Sequence, residues 1–361
     1  MSKIRVLIVD DSVVVRKIVA DVLSTDPELE VAAVAANGRI GLAKFAQLKP
    51  DIVTLDVEMP DMDGLEMLAA IRRIDPAVPI VMFSSQTERG AKTTLEALSR
   101  GATDYVTKPT NVGNLAEAQQ RIREELIPRI KAFCRKAIAS PVRADTSSGP
   151  IRNVPRTLAE RPATVLAIGC STGGPNALRA ILADWKADLP VPVVIVQHMP
   201  PAFTKQLAVS LTNWTGLNVT EASDGDKVVA GGIYIAPGDN HMTVVRRPAG
   251  VFVKLERTPP VNACRPAVDI LFQSVAVAYG PGTIAAVLTG MGRDGLRGCE
   301  AIRKRSGRIV VQDEATSVVW GMPGSVATAG LADAILPLGR IGTELNLRVR
   351  ASRRALVAGG V

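Results

Sequence analysis

Cysteine is scarce in this chain, and long apolar runs are missing. The four cysteines among 361 residues are scattered, and their spacing matches neither a metal-binding motif nor a disulfide framework. We therefore expect a reducing, cytoplasmic setting. No stretch has the apolar length needed to span a bilayer, and the first apolar run leads directly into Asp10 and Asp11 rather than forming a signal peptide. The composition thus predicts no membrane insertion.

Aromatic residues make up only 3% of the chain. The net charge of +8 would suit a nucleic-acid-binding protein, but stacking aromatics are few and neither helix-turn-helix nor zinc-finger spacing occurs. Residues 1–110 carry 13 Lys and Arg against 16 Asp and Glu, whereas residues 111–361 carry 30 against 19. This distribution favours an acidic protein partner over nucleic acid, with a basic surface that serves only solubility as the alternative.

The length allows two domains, each with its own core. A helical pattern with an apolar face ends near Leu126, and we expect Pro128 to interrupt or kink that helix. The composition then turns to Ser, Pro, Gly, Thr and Arg up to Pro162, as is typical of a loosely structured linker. We predict an N-terminal domain over 1–122, a linker over 123–161 and a C-terminal domain over 162–350.

In the first third of the chain, five apolar runs alternate with helical patterns. This alternation predicts a doubly wound, flavodoxin-like α/β domain with five parallel strands. The predicted strands are Ile4–Val9, Val31–Ala35, Ile52–Leu55, Ile80–Phe83 and Tyr105–Val106, and the predicted helices are 12–24, 38–48, 64–73, 88–100 and 113–126. In such sheets, functional groups gather beyond the carboxyl ends of the strands.

Chemically active side chains follow four of these strands. Asp10 and Asp11 follow the first strand, Asp56 the third, Ser84 the fourth and Lys108 the fifth. Three converging carboxylates repel one another unless a cation neutralises them, and their oxygen ligands suit Mg²⁺. The lysine would pair with a phosphoryl group on Asp56, and the serine hydroxyl would bond its oxygens. Taken singly, Asp11 or its neighbour Ser12 is explained equally well as a helix cap, and the lysine as a surface charge.

Together, these residues resemble the receiver domain of two-component response regulators over residues 3–122. The resemblance includes Met59-Pro60 after Asp56 and Tyr105 ahead of Val-Thr-Lys-Pro. It implies that Asp56 accepts phosphate from a histidine kinase and that Mg²⁺ is held by Asp10, Asp11 and Asp56. It also implies that the switch residues are Ser84, Tyr105 and Lys108. Glu58 stands where many receivers have Asn, a difference that bears on the lifetime of the phosphoryl group.

Beyond Pro162 the alternation of strands and helices resumes. It predicts a second doubly wound domain, with a mostly parallel Rossmann-like sheet and an antiparallel patch within 231–257. The predicted strands are Val165–Ile168, Val193–Gln197, Val219–Ala222, Gly232–Ala236, Met242–Arg246, Val251–Leu255, Ile284–Thr289, Ile309–Gln312 and Ala334–Leu336. The predicted helices are 174–184, 201–213, 266–279, 295–305 and 321–329.

The most informative stretch is 164–175, where a buried strand leads into a helix through a turn of small residues. Ser171 lies at this corner, where free N–H groups at a helix start would stabilise an oxyanion on a nucleophile. The same pattern also fits a serine that caps the helix, or a glycine-rich turn that binds phosphate. Cys170 is a rival nucleophile, although its side chain should point away from that of its neighbour.

A serine nucleophile needs a base, and the chain has only two histidines. His198 ends an apolar run and so shares with Ser171 the carboxyl end of a predicted parallel strand, whereas His241 begins a predicted hairpin strand. The third member of a triad should be a carboxylate, and Asp294 lies in the segment Gly290–Gly295, which directly follows another predicted strand. Its alternative role is to cap the helix at 295–305. The weaker candidates flank antiparallel segments and are Asp224, Asp226 and Asp239.

Four segments of this domain resemble the chemotaxis receptor methylesterases of the CheB type over 162–338. They are Ile168–Pro175, Gln197–Pro200, Ala236–Met242 and Leu288–Gly295. The resemblance implies a Ser171, His198 and Asp294 triad that hydrolyses glutamyl methyl esters on methyl-accepting chemoreceptors and deamidates receptor glutamines. It implies no cofactor for this reaction, a chemotaxis-type histidine kinase as phosphodonor, and a cytoplasmic protein recruited to receptor clusters. Backbone N–H groups of Thr172 and Met291 are the oxyanion candidates.

The fusion of the two domains suggests that the unphosphorylated receiver covers the Ser171 face and moves aside on phosphorylation. Two other functions would each account for part of the sequence. A receiver-controlled nucleic-acid-binding regulator would explain the positive charge. A dinucleotide-binding oxidoreductase would use Gly169–Gly174, but that stretch lacks the G-x-G-x-x-G order.

Overall fold

The structure is a computed structural model that describes residues 3–108, 115–139, 162–183 and 185–358. The chain divides into two compact units, Met1–Asp145 and Thr146–Val361. Among the described residues, no helix combines the length and apolarity needed to cross a membrane.

The first unit is a five-stranded parallel sheet in the order β2-β1-β3-β4-β5, flanked by five helices. The strands are β1 Ile4–Val9, β2 Leu29–Ala35, β3 Ile52–Asp56, β4 Ile80–Ser84 and β5 Asp104–Thr107. The helices are α1 Val13–Ser24, α2 Gly38–Leu48, α3 Gly64–Ile74, α4 Glu88–Ser99 and α5 Leu115–Ala139. The predicted doubly wound fold with five parallel strands is confirmed.

Local signals explain where these helices begin. The Ser12 hydroxyl accepts a hydrogen bond from the Val15 N–H, so Ser12, and not Asp11, caps α1. Asp63 and Glu66 form a reciprocal capping box at the start of α3. Because Asp11 does not cap α1, its carboxylate remains a candidate metal ligand just after β1.

Helix α5 does not end near Pro128 as predicted. It continues through the proline to Ala139 and buries Ile130, Phe133 and Cys134. Lys131 also pairs with Asp26 and Glu28 of the same unit, at 2.8 and 2.7 Å. Packing against the first unit therefore outweighs the single backbone hydrogen bond that a proline removes. Residues 123–139 of the expected linker are helical, and 140–161 lie outside the described residues.

The second unit is a seven-stranded parallel sheet in the order β14-β13-β12-β6-β7-β9-β8. Its strands are β6 Val165–Cys170, β7 Val193–Gln197, β8 Val219–Glu221, β9 Ile233–Ile235, β12 Thr283–Val287, β13 Arg308–Gln312 and β14 Ala334–Leu336. Its helices are α6 Gly174–Leu182, α7 Pro201–Thr215, α8 Val268–Tyr279, α9 Leu296–Lys304, α10 Met322–Thr328 and α11 Leu338–Ala358.

The predicted antiparallel patch is a separate hairpin. Strands β10 His241–Arg247 and β11 Gly250–Glu256 pair with each other as a two-stranded sheet, whereas β8 and β9 are parallel members of the main sheet. Buried residues of this hairpin, including Met242 and Val253, join the core formed by α8 and the main sheet. The hairpin therefore covers one face of the sheet instead of extending it.

Helix α11 was not predicted from the sequence. It buries Ile341, Leu345 and Val349, and it packs against α6. The Trp185 indole N–H donates to the Gly342 carbonyl at 2.9 Å. The helix extends beyond the expected domain boundary at 350 and forms the layer behind the helix that follows Ser171.

Candidate active site and phosphoacceptor site

Ser171 and His198 lie side by side at the carboxyl edge of the main sheet. Ser171 directly follows β6, His198 directly follows β7, and Cys170 is in register with Gln197 on these two neighbouring strands. The His198 N–H donates to the Cys170 carbonyl at 3.2 Å, which extends the pairing to the first residue beyond the strand. The predicted placement of both residues at one edge of the sheet is therefore what the structure shows.

The turn after Ser171 leads into α6 through a left-handed glycine. Gly173, with φ of +76°, occupies the N-cap position of α6, so the Ser171 side chain does not cap this helix. Within the described part of the chain, the N–H groups of Thr172 and Met291 donate to no protein acceptor. The Gly290 backbone packs against Ser171, which places Met291 one residue from it. The two N–H groups chosen from the sequence are thus available to bind an oxyanion.

Asp294 holds the imidazole of His198. Its Oδ2 lies 2.8 Å from His198 Nε2. The carboxylate can only accept, so the imidazole carries its proton on Nε2 and presents Nδ1 as the basic nitrogen. Burial lowers the pKa of His198, but Asp294 and Cys264 together outweigh burial and raise the pKa above its ordinary value. Burial raises the pKa of Asp294, but His198 and the hydrogen bonds to the carboxylate outweigh burial and lower that pKa below its ordinary value.

Asp294 also caps a helix. That helix is α8, and not the helix predicted over 295–305. The residue before α8 offers no side-chain cap, and the Asp294 carboxylate accepts from the first two N–H groups of that helix, those of Val268 and Asp269, at 2.6 and 3.1 Å. It accepts further bonds from the Gly295 N–H and the Asn262 side chain, at 3.0 and 2.8 Å. The helix terminus stabilises the anion and fixes its direction toward His198.

His241 has a structural role. It is fully buried, its Nδ1 accepts from the Ala267 N–H at 3.2 Å, and its Nε2 lies 3.1 Å from the Pro259 carbonyl. Both ring nitrogens are therefore occupied by the segment that leads into α8. The carboxylates rated weaker candidates bond elsewhere: Asp224 and Asp226 accept from backbone N–H groups, and Asp239 pairs with two arginines.

Cys170 is unsuited to be the nucleophile. Its side chain is fully buried, its thiol contacts the Val196 carbonyl, and burial raises the pKa of the thiol. A different cysteine reaches the site. Cys264 Sγ lies 3.5 Å from His198 Nδ1, and no hydrogen bond joins Nδ1 to Ser171 among the described residues. The sequence offered no sign of this thiol, because it lies in the loop before α8, far from any nucleophile motif.

The first unit gathers the expected acidic groups at the carboxyl edge of its own sheet. Ligand oxygens of Asp10, Asp11 and Asp56 lie within 4.8 Å of one another. Lys108 Nζ lies 2.9 Å from Asp10 Oδ2 and 2.6 Å from Asp56 Oδ2. Burial, and then the charge of Asp10, raises the pKa of Asp56 to about 6. A cluster of carboxylates with this unfavourable desolvation fits a hard divalent cation such as Mg²⁺.

The remaining receiver residues also lie near this edge. Ser84, the last residue of β4, is fully buried, and Tyr105 on β5 is buried, which raises the pKa of its hydroxyl. Glu58, two residues after Asp56, pairs with Arg89 at 3.3 Å on the surface. The exposed Glu58 thus carries its charge away from the buried carboxylates.

Two family models match the chain. The model described as CheB methylesterase matches residues 166–345, and the response regulator receiver domain model matches residues 6–120. A Nocardioides protein named protein-glutamate methylesterase/protein-glutamine glutaminase is 50% identical over 100% of this chain and 99% of its own length. The chain belongs to the CheB methylesterase family. It carries a response regulator receiver domain ahead of its methylesterase domain.

Two further comparisons agree. A relative of the same name from Trichodesmium erythraeum is 48% identical over 97% of this chain and 100% of its own length. The crystal structure of the Thermotoga maritima CheB methylesterase catalytic domain matches with a TM-score of 0.50 and 42% identity, over 51% of this chain and 97% of that one. These names support the CheB methylesterase interpretation over the nucleic-acid-binding alternative.

Gly290 sets the position of the serine in this CheB-type site. A Cβ added there would lie 2.9 Å from Ser171 Cβ and 2.4 Å from Met322 Sδ. We predict that Gly290→Ala lowers kcat for ester hydrolysis about 10²-fold with little change in KM, because a shift of about 1 Å misaligns the reacting atoms. Gly339→Ala is the matched control, since no atom lies within 4 Å of a Cβ at that position. Equal kcat values for the two variants would contradict the prediction.

Proposed function

We propose that Ser171, His198 and Asp294 are the catalytic triad of an enzyme that hydrolyses glutamyl methyl esters on chemoreceptors and deamidates receptor glutamines. The observation that supports this most directly is the 2.8 Å contact between His198 and Asp294, with Ser171 on the neighbouring strand end. The names of the Nocardioides and Trichodesmium erythraeum relatives include both activities.

The reaction begins when His198 Nδ1 takes the proton of the Ser171 hydroxyl and the serine oxygen attacks the ester carbonyl. Asp294 stabilises the imidazolium that forms. The N–H groups of Thr172 and Met291 bind the tetrahedral oxyanion. Methanol leaves, or ammonia from a glutamine, and the proton on His198 goes to the leaving group. Water then hydrolyses the acyl-enzyme with His198 again as base. This chemistry requires no cofactor.

In the receiver, Asp56 accepts a phosphoryl group from a chemotaxis-type histidine kinase. Asp10, Asp11 and Asp56 would hold Mg²⁺, which supplies positive charge that offsets the carboxylates and the incoming phosphoryl group. Lys108 is already within ion-pair distance of Asp56 and would bind a phosphoryl oxygen. Ser84 and Tyr105 are the proposed switch residues.

Phosphorylation of the receiver would activate the enzyme. The decisive experiment measures methanol release from a methylated receptor fragment, with and without acetyl phosphate and Mg²⁺. Methanol release that rises with acetyl phosphate supports both the substrate and the regulation. A fragment that is bound and never demethylated would refute the esterase proposal.

Asp56 provides a specific test of the regulation. With Asp56→Asn, we expect equal rates with and without acetyl phosphate, because an amide cannot form the acyl phosphate. Asp21→Asn, which changes an exposed carboxylate of the same domain, should keep the stimulation. Stimulation that persists in Asp56→Asn would show that the phosphodonor acts elsewhere.

The basic residues of 111–361 would attract receptor helices rich in glutamate and help recruit this cytoplasmic enzyme to receptor clusters. Raising ionic strength from physiological levels to 1 M shortens the Debye length from about 8 Å to about 3 Å. We therefore predict that kcat/KM on the receptor fragment falls with salt, whereas the rate on a small neutral methyl ester does not. An equal response of both substrates would remove the electrostatic contribution.

A further inference from the structure

The loop before α8 places a thiol beside the proposed catalytic base. Cys264 is the one cysteine among the described residues that is not buried; Cys134, Cys170 and Cys299 are buried. Its backbone is fixed by two hydrogen bonds with Val261, at 3.0 and 2.9 Å, and its Sγ lies 3.5 Å from His198 Nδ1. The His198 side chain is 12% exposed, so solutes can reach the pair from solvent.

Sulfur and imidazole nitrogen at this separation match two ligands of one zinc ion. A tetrahedral Zn²⁺ lies about 2.3 Å from a cysteine sulfur and about 2.0–2.1 Å from a histidine nitrogen, so these two ligand atoms stand about 3.5 Å apart. A cation bound between the two atoms would replace the proton of the Cys264 thiol. Binding would release that proton to solvent while bonds form from sulfur and from Nδ1 to the ion, with no change of oxidation state.

Asp294 contacts Nε2, the second nitrogen of the His198 ring. Histidines that bind metals commonly donate their second N–H to a carboxylate, which fixes the tautomer and directs the free nitrogen to the ion. His198 donates from Nε2 to Asp294 at 2.8 Å and therefore offers Nδ1 toward Cys264. Ligand atoms of these three residues lie within 4.8 Å of one another.

We propose that Cys264 Sγ and His198 Nδ1 form a binding site for a thiophilic divalent cation such as Zn²⁺, and that its occupation inhibits the esterase. The inhibition rests on the proposed function, because a cation on Nδ1 removes the base that takes the Ser171 proton. The binding itself does not depend on that function. Water would fill the remaining coordination positions.

The binding test uses the full-length reduced protein with excess Mg²⁺ to saturate the receiver carboxylates. Cd²⁺ is titrated in while the ultraviolet thiolate-to-cadmium band is followed, and Zn²⁺ is then added as competitor. We expect one thiolate–cadmium site per chain, displaced by Zn²⁺, lost in Cys264→Ala and kept in Cys299→Ala. Asp294→Asn should weaken binding about 10–100-fold. No band, or a band unchanged in Cys264→Ala, would overturn the proposal.

Inhibition is measured separately as methanol release at increasing Zn²⁺. We expect the rate to fall in parallel with occupancy, to recover with a chelator and to lose its zinc sensitivity in Cys264→Ala. Full activity at saturating Zn²⁺ would overturn the inhibitory role. Ser171→Ala distinguishes the two proposals, because this variant should bind Cd²⁺ as the parent protein does. A normal cadmium band together with full esterase activity in Ser171→Ala would contradict the proposed triad and leave the proposed cation site standing.

Discussion

Replacing Ser171 by alanine should lower kcat for methyl ester hydrolysis by about 10⁴–10⁶, which is the range expected when a serine nucleophile is removed from a triad. The Ser171 hydroxyl is the proposed nucleophile, and it lies directly after β6, beside the His198 strand end. The loss should appear in kcat, because the oxyanion donors and the substrate-binding surface remain. Methanol release measured at saturating receptor fragment provides the readout.

Cys170→Ala is the matched control for this experiment. It removes the neighbouring thiol, which is buried and contacts the Val196 carbonyl, and we expect it to keep the activity that Ser171→Ala loses. Both variants should still accept a phosphoryl group on Asp56, which shows that the receiver domain is folded. A fully active Ser171→Ala protein together with an inactive Cys170→Ala protein would reverse the assignment.

Asp294→Asn should have the second largest effect, a fall in kcat of about 10⁴. The amide can donate to His198 Nε2 and so favour the wrong tautomer, and it carries no charge to stabilise the imidazolium. A change in pH dependence should accompany the loss. The proposed base, His198, would act in its neutral form, and Asp294 raises the pKa of His198, so the acid limb of the rate profile should lie above the ordinary histidine value of about 6.5.

In Asp294→Asn the acid limb should move to lower pH, because burial of His198 remains and burial lowers the pKa of an imidazole. Asp269→Asn is the control. Asp269 shares the Asn262 side chain with Asp294 but does not contact His198. The thermal unfolding of both variants should also be measured, because Asp294→Asn weakens the cap of α8 and can lower stability as well as activity. An acid limb at the same pH in Asp294→Asn and the parent would exclude the charge effect.

The sheets were predictable because buried parallel strands are continuous apolar runs bounded by turn residues. Strands β1, β7 and β14 begin and end at the predicted residues. Helix α5 was predicted too short because a proline usually ends a helix, and the apolar surface that retains residues 129–139 is formed by distant parts of the chain. Helix α11 was missed since its charged residues obscure the narrow stripe of Ile341, Leu345 and Val349.

The site residues could be predicted where a chemically active side chain lies at the carboxyl end of a strand. Ser171 and His198 each directly follow a strand, Asp56 is the last residue of β3, and the parallel sheets bring the members of each site together. The dual role of Asp294 was not predictable, because its helix partner is the distant α8 rather than the adjacent α9. The contact of Cys264 with His198 arises from a loop whose path depends on the buried His241, and no spacing in the sequence encodes that path.

Helix α11 has a practical consequence for dissecting the enzyme. Each fully buried aliphatic side chain stabilises a fold by about 1.5–3 kcal/mol, and α11 contributes three of them against α6 and its surroundings. A fragment that ends after β14 would lack α11. The apolar face of α6, the helix that begins beside Ser171, would then be exposed to solvent. Fragments intended to report on catalysis should therefore retain the chain through at least Val349, and affinity tags belong beyond it.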